Sequence, residues 1–449
     1  MIQLNLLYDK WFLGQALPNC INKTILDYIF TNFSNNMKSN IVSFDLHSKF
    51  GNSHNSWMSN VGIKTIPSNH ISNIDTKDWV YAIEPWGHLM YSVNVQAIED
   101  YRNIFELIPM DIITKINNND GKLLINYSHE GWISEWSLKG FYLAAKNVGI
   151  KLENIILILN DYNLEEKLNK FKEKYDIEKY PKVINYSFYL TASSKHFYEK
   201  HKDNNLYTKH INAIKSYKFL CLNRRLDLHR VVLLSEILND IKDESLVSFD
   251  KKLITNEIHN LFKNQPDIEI KFNNLPEKVI ADREDIENTN GYQHDNEDLF
   301  LESYISIVTE TSFYIDNDFI SEKIWKPLYQ FHPFIVVGRP HLLKYLRDIG
   351  FKTFDFLIDE MYDTIEDNDL RMEAIIKEIK KINNIPIHEL DTIIKSNIDI
   401  LKHNYDLLNT FGKQTQITED YFIKNIKNDN YNYIDIYKEL KLELPTKII

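Results

Sequence analysis

Residues 305–338, ISIVTETSFYIDNDFISEKIWKPLYQFHPFIVVG, set two short apolar runs on either side of a polar loop and a helix-patterned segment. ISIVTET and PFIVVG are rich in Ile and Val, the composition of parallel strands covered on both faces. SEKIWKPLYQF between them has apolar positions at helical spacing, which predicts a helix with Ser321 as its cap and Glu322 and Lys323 in its first turn. Strand, helix, strand is the unit of a doubly wound parallel sheet. In such sheets ligands bind beyond the carboxyl ends of the strands, so the residues after ISIVT are the first place to look for chemistry. Pro327 falls inside the expected helix and predicts a kink there.

The same grammar extends outward. In the second half KFLCLN and SLVSFD read as strands, with helices expected over Leu228–Leu238, around Ile254–Phe262 and in PHLLKYLRDIG. A polar stretch from about Pro276 to Glu297 interrupts the pattern and reads as a loop or insertion. In the first half Ile2–Tyr8, Ile41–Leu46, DWVYAIEP, KLLINYS, NIILILND and PKVINYSFYL read as strands. The helices expected between them are Thr24–Phe33, Ala97–Ile108, Trp136–Val148 and Leu164–Tyr175. This predicts an α/β chain of two Rossmann-like, doubly wound domains, residues 1–208 and 209–385. A helical segment, 386–449, follows; its stripe Leu390, Ile394, Ile398, Leu401, Tyr405 and Leu408 is spaced by threes and fours.

Composition narrows the function. Twelve glycines in 449 residues is well below the usual share. Neither G-x-G-x-x-G nor G-x-x-x-x-G-K-[ST] occurs, so a phosphate site must use side chains and helix ends. The net charge of −12 disfavours general nucleic-acid binding. Two cysteines, Cys20 and Cys221, are too few for a metal cluster and suit a reducing compartment. Asp9 and Lys10 break the N-terminal apolar run, which does not resemble a signal peptide, and no apolar stretch is long enough to span a membrane. These features read as a cytoplasmic protein.

Four strand ends offer chemistry. KFLCLNRRLDLHR ends a strand at Asn223 and supplies Arg224, Arg225, His229 and Arg230. Arginines at a helix start oppose the helix dipole, which is explained if an anion sits among them, since arginine binds phosphate bidentately. The plainer alternative is a solvated charged turn. The second strand end gives Glu310, then Ser321, Glu322 and Lys323, where free N–H groups and a lysine would take a diphosphate. The third, LLINYSHEGW, offers His129 and Glu130 before Gly131. Glu130 suits a general base, or a capping acid; Glu135 and Glu84 are rivals. The fourth, Asp316-Asn317-Asp318, matches the D-x-D of metal-dependent sugar transferases, as does Asp367-Asn368-Asp369. Two matches in an Asn- and Asp-rich chain read as solvated loops, with no metal. EPWGHL, with Glu84, Trp86 and His88, is a weaker candidate for an acceptor-side wall.

The segment VTETSFYIDNDFISEKIWKPLYQFHPFIVVG resembles the donor-binding region of the α1,3-fucosyltransferases, glycosyltransferase family 10. TETS, with Glu310 and Ser312, stands where that family has F-E-N-S. Phe319-Ile320-Ser321-Glu322-Lys323 stands where it has Y-V-T-E-K. FLCLNRRLDLHRVVLLSEI is similar to its S-N-x-x-x-x-x-R segment, with Asn223 and Arg230 in the matching places. The likeness covers about Lys218–Phe354, and Thr311 replaces the family's Asn. The resemblance implies a GT-B fold with a cleft between two domains, and inverting, metal-independent transfer without a cofactor. The donor would be a nucleotide-diphosphate sugar, GDP-linked donors among the candidates, and the acceptor a glycan or other hydroxyl compound. It implies that Lys323 and Arg230 hold the diphosphate and Glu322 the ribose or sugar hydroxyls. Glu130 is the base by position only, and the C-terminal segment would cross back to the first domain. Two other readings stand beside it: a glycosyltransferase for modified DNA bases, and a carbohydrate-binding or assembly protein on a degenerate transferase fold.

Overall fold

The computed structural model describes residues 4–8, 63–67, 79–83, 105, 108, 110–126, 128, 135–223, 226–251, 256–281, 296–413, 421, 424–425 and 432–443. The chain divides into two compact units. One holds residues 1–188 and 414–442, the other 189–413 and 443–449. The first division therefore falls after Phe188, about twenty residues before the boundary expected from sequence. The expected fold class, α/β with doubly wound parallel sheets, is the one found.

In the first unit the strands are β1 (Leu4–Tyr8), β2 (Ile63–Pro67), β3 (Trp79–Ile83), β4 (Lys122–Asn126), β5 (Ile155–Leu159), β6 (Lys182–Asn185) and β12 (Tyr433–Asp435). Their spatial order is β12-β6-β5-β4-β3-β1-β2, all parallel. β5, IILIL, is buried throughout, which is why it reads as an unbroken apolar run. Leu123, Ile125, Ile155, Leu157 and Val183 pack with Phe141, Ala144, Leu164 and Phe171 into one core. The expected helix Leu164–Tyr175 forms over those same residues. Gly121, just before β4, sits at φ +107°, and a Cβ there would lie 2.2 Å from the Trp79 ring, so only glycine fits.

Several expectations are corrected. PKVINYSFYL is a strand only to Asn185, and Phe188 already begins the helix Phe188–His201. The stripe Leu390–Leu408 forms two helices, Ile387–Ser396 and Ile398–Lys413, both in the second unit. The chain then rejoins the first unit, where β12 pairs with β6 as an edge strand. The helix Met110–Asn117 and strand β2 were not anticipated. The expected helix Thr24–Phe33, strand Ile41–Leu46 and most of Ala97–Ile108 lie outside the described residues.

The second unit has β7 (Tyr217–Asn223), β8 (Ser245–Asp250), β9 (Lys278–Val279), β10 (Ser303–Thr309) and β11 (Phe334–Val337). The order is β11-β10-β7-β8-β9, with only β9 antiparallel. Crossovers reverse direction at β7 and β10, so their carboxyl ends form the sheet's topological switch point. Among the described residues no helix is long and apolar enough to cross a membrane.

Candidate functional site

At the switch point the central strands end side by side. Thr309 Oγ1 donates to Asn223 Oδ1, and Asn223 Nδ2 donates to Cys221 Sγ at 3.1 Å, knitting β10 to β7. Glu310 N donates to Val337 O at 2.9 Å, which holds the next residue against β11.

Glu310 is 1% exposed, although it follows a strand into a polar loop. Its Oε2 accepts from Ser321 Oγ at 2.7 Å and from the backbone N–H groups of Thr311 and Ser321 at 3.2 and 3.3 Å. Oε1 is buried without a hydrogen-bond partner among the described residues. Burial raises the Glu310 carboxyl above the usual carboxylate range, against the opposing Lys323 charge and the Ser321 hydrogen bond.

Ser321 passes the connection on. Its Oγ accepts from Lys323 N at 3.3 Å and from Lys323 Nζ at 3.2 Å. The Lys323 ammonium also meets Glu322 Oε1 at 3.1 Å and Thr311 Oγ1 at 3.4 Å, and its side chain is 31% exposed. Glu322 is held ionised: burial opposes its charge, but Lys323, Lys326 and hydrogen bonds outweigh that and bring its carboxyl down to about 2. The group is thus a half-buried ammonium ringed by two hydroxyls and one ionised carboxylate. Ser312, beside it in sequence, is buried.

The local helix differs from expectation. It spans only Trp325–Tyr329, after a turn at 322–324, so Glu322 and Lys323 precede it. The nearby N–H groups of Thr311, Ser321 and Lys323 are directed at Glu310 and Ser321, so these three are already used within the loop. Pro327 sits in the first turn, where its missing N–H would have no helical acceptor, so it breaks no bond.

Arg230 comes to the same strand end from the helix Leu228–Ile241, but from within. It is 5% exposed; Nη2 donates to Thr309 O and Glu310 O at 3.3 and 3.4 Å, and Nη1 pairs with Asp227 at 3.3 Å. Its neighbour His229 faces Glu310 O at 3.0 Å and stacks on Phe313; burial, then the Arg230 charge, pushes the imidazole down to about 3. The Arg371 guanidinium also lies over Phe313, 4.4 Å from the ring centroid. Arg371 donates to Gly338 O at 3.1 Å and Phe313 O at 3.3 Å, tying the loop after Glu310 to the end of β11. No local pattern marks Arg371, one charged residue in a charged helix.

Both D-x-D matches have other partners. Asp316 and Asp318 each meet Arg339 at 3.0 Å. Asp367 caps the helix Asn368–Asn383 through the N–H groups of Asp369 and Leu370. Among the described residues, no three His, Cys, Asp or Glu side chains form a metal-ligating group. Glu135 pairs with Lys174 at 2.7 Å and receives the Tyr175 hydroxyl at 2.6 Å. Glu130, His129, Arg224, Arg225, Glu84, Trp86 and His88 lie outside the described residues.

No family model matches the chain, and no curated protein matches it in sequence. Among solved structures, it is similar to an α,α-trehalose 6-phosphate synthase from Burkholderia multivorans, with 9% identity and a TM-score of 0.41. That match covers 80% of this chain and 75% of that one. It is also similar to a UDP-forming α,α-trehalose-phosphate synthase from Burkholderia vietnamiensis, with 10% identity and a TM-score of 0.41, over 78% and 74% of the two chains. At values this low, the functional reading rests on the chain's own residues.

Proposed function

We propose that the chain is a glycosyltransferase of GT-B type that moves a sugar from a nucleotide-diphosphate donor to a hydroxyl acceptor. The observation that carries this reading is Lys323. It is a half-buried ammonium at a topological switch point, with Thr311 and Ser321 hydroxyls at 3.4 and 3.2 Å and ionised Glu322 at 3.1 Å. An ammonium and the Thr311 hydroxyl suit phosphate oxygens, and a carboxylate suits the hydroxyls of a ribose or sugar. The α1,3-fucosyltransferase resemblance supports the same assignment and a GDP-linked donor.

In the proposed reaction an acceptor hydroxyl attacks the anomeric carbon as the bond to the diphosphate breaks. Glu130 takes the hydroxyl proton, and Lys323 stabilises the charge that gathers on the leaving diphosphate. Arg230 supports the site from beneath by fixing the Thr309 and Glu310 carbonyls. Asn223 and Ser312 belong to the same strand-end frame, and Arg224 and Arg225 are proposed as further phosphate contacts.

The test is a thermal-shift screen with GDP, UDP, ADP and CMP. A nucleotide at a hundredfold excess over its Kd should stabilise the protein by about 2.7 kcal/mol. Stabilisation by one diphosphate, with its free base form inert, supports the reading; indifference to all four overturns it.

A further inference from the structure

The candidate site holds two carboxylates and one ammonium within reach of both. Lys323 Nζ is committed to Glu322, at 3.1 Å, and reaches Glu310 only through the Ser321 hydroxyl. Glu310 offers a different face to each of its surroundings. Oε2 receives three donors, and Oε1 is buried with no partner among the described residues. An ionised carboxylate would leave half of its charge on that buried, unpartnered oxygen, which is expensive. A proton on Oε1 removes the charge and leaves Oε2 as the acceptor that all three donors require. Other charges nearby do not alter the count. Arg230 is paired with Asp227 and turned to the main-chain oxygens, His229 is kept neutral by burial, and Glu322 is a like charge.

We propose that Glu310 is a positioning residue that works as a neutral carboxylic acid, holding Ser321 and through it the Lys323 ammonium for an anionic ligand. This rests on the reading of the site as a diphosphate site. Neutrality matters because a second anion beside Lys323 would cancel the charge that attracts phosphate. Burial raises the Glu310 carboxyl, so the proton is lost only as the pH climbs through that raised value; anion affinity should then weaken with rising pH.

The experiment is calorimetric titration of the full chain with GDP, UDP and inorganic pyrophosphate, from mildly acidic to alkaline pH. Wild type, Glu310→Gln, Glu310→Ala, Ser321→Ala and Lys323→Ala are compared, with near-UV circular dichroism as the check on folding. Glutamine keeps the acceptor oxygen and the neutral charge. Glu310→Gln should therefore bind within about twofold of wild type at acidic pH and retain that affinity at alkaline pH, where wild type weakens. Ser321→Ala, which removes only a hydroxyl, should weaken binding by roughly three- to tenfold, an ordinary share for one hydrogen bond. Glu310→Ala should lose at least as much. If Glu310→Gln falls as far as Glu310→Ala at every pH, or follows the wild-type pH curve, Glu310 is not a neutral positioning acid. If wild type binds no probe, or Lys323→Ala binds as well as wild type, the diphosphate reading itself fails, which is a separate result.

Discussion

The sheet of the second unit carries lysine and neighbouring titratable groups at both ends, and the two ends treat them in opposite ways. At the amino end Lys215 precedes β7 and donates to Phe300 O at 2.8 Å and Ser303 O at 2.5 Å, beside His332 Nε2 at 3.2 Å. His332 also faces Ser306 Oγ, and His210 meets Gln330 at 2.9 Å. Burial pushes Lys215 down to about 7 and His210 to about 3. This end spends its donors on main chain and rings. At the carboxyl end Lys323 makes only contacts of 3.1–3.4 Å to side-chain oxygens, and stays 31% exposed. Both ends are rich in ionisable groups. Each lysine has three partners; what separates them is that Lys215 is given to main-chain carbonyls and a ring at 2.5–3.2 Å, and Lys323 to side-chain oxygens at 3.1–3.4 Å.

The largest effect that would sharpen this contrast concerns a third strand end. Glu130→Gln should lower sugar transfer by about 10²- to 10⁴-fold, the usual range for losing a general base. Nucleotide affinity should remain near wild type, because the proposed donor contacts lie at the Lys323 end. A transfer assay beside a binding assay checks it; near-normal turnover would return the base to His129 or another acid.

A smaller effect belongs to the amino end. Burial pushes the folded Lys215 down to about 7, against an ordinary 10.5, so between these values the unfolded chain binds more protons. Lys215 therefore makes stability rise with pH through that window, and below it both states are protonated and the rise is absent. Urea unfolding of wild type and Lys215→Met should show this slope in wild type alone, with folding retained. Equal slopes in both would break the picture of a half-buried, satisfied lysine.

The smallest expected effect is none. With Asp316 and Asp318 paired to Arg339, transfer should survive excess EDTA. Abolition by EDTA and rescue by Mn²⁺ would make those carboxylates metal ligands and remove Lys323 from its central place.

Much of this is legible in the sequence. KFLCLN, SLVSFD, ISIVTET and PFIVVG became β7, β8, β10 and β11 because strands covered on both faces must be apolar throughout. β2, IKTIP, was missed because it is an edge strand with polar residues between its isoleucines. β12 is three residues long and finds β6 some 250 positions away, so no local period announces it. At the site, Glu310, Ser321, Glu322 and Lys323 were legible as residues after a strand. Their arrangement was not, since the burial of Glu310 depends on Ser321 folding back eleven residues later. Arg230 was legible as important, but its charge points inward to carbonyls, a direction that only the packing of its helix decides.

The most direct measurement is titration calorimetry of GDP and UDP into wild type, Lys323→Ala and Lys215→Met side by side. Lys323→Ala should lose one charge-assisted contact, about 1.5–3 kcal/mol, and bind the preferred nucleotide roughly ten- to a hundredfold more weakly. Lys215→Met should bind it as wild type does. Unchanged affinity in Lys323→Ala, or an equal loss in Lys215→Met, would contradict the assignment of the donor site to the carboxyl end of the sheet.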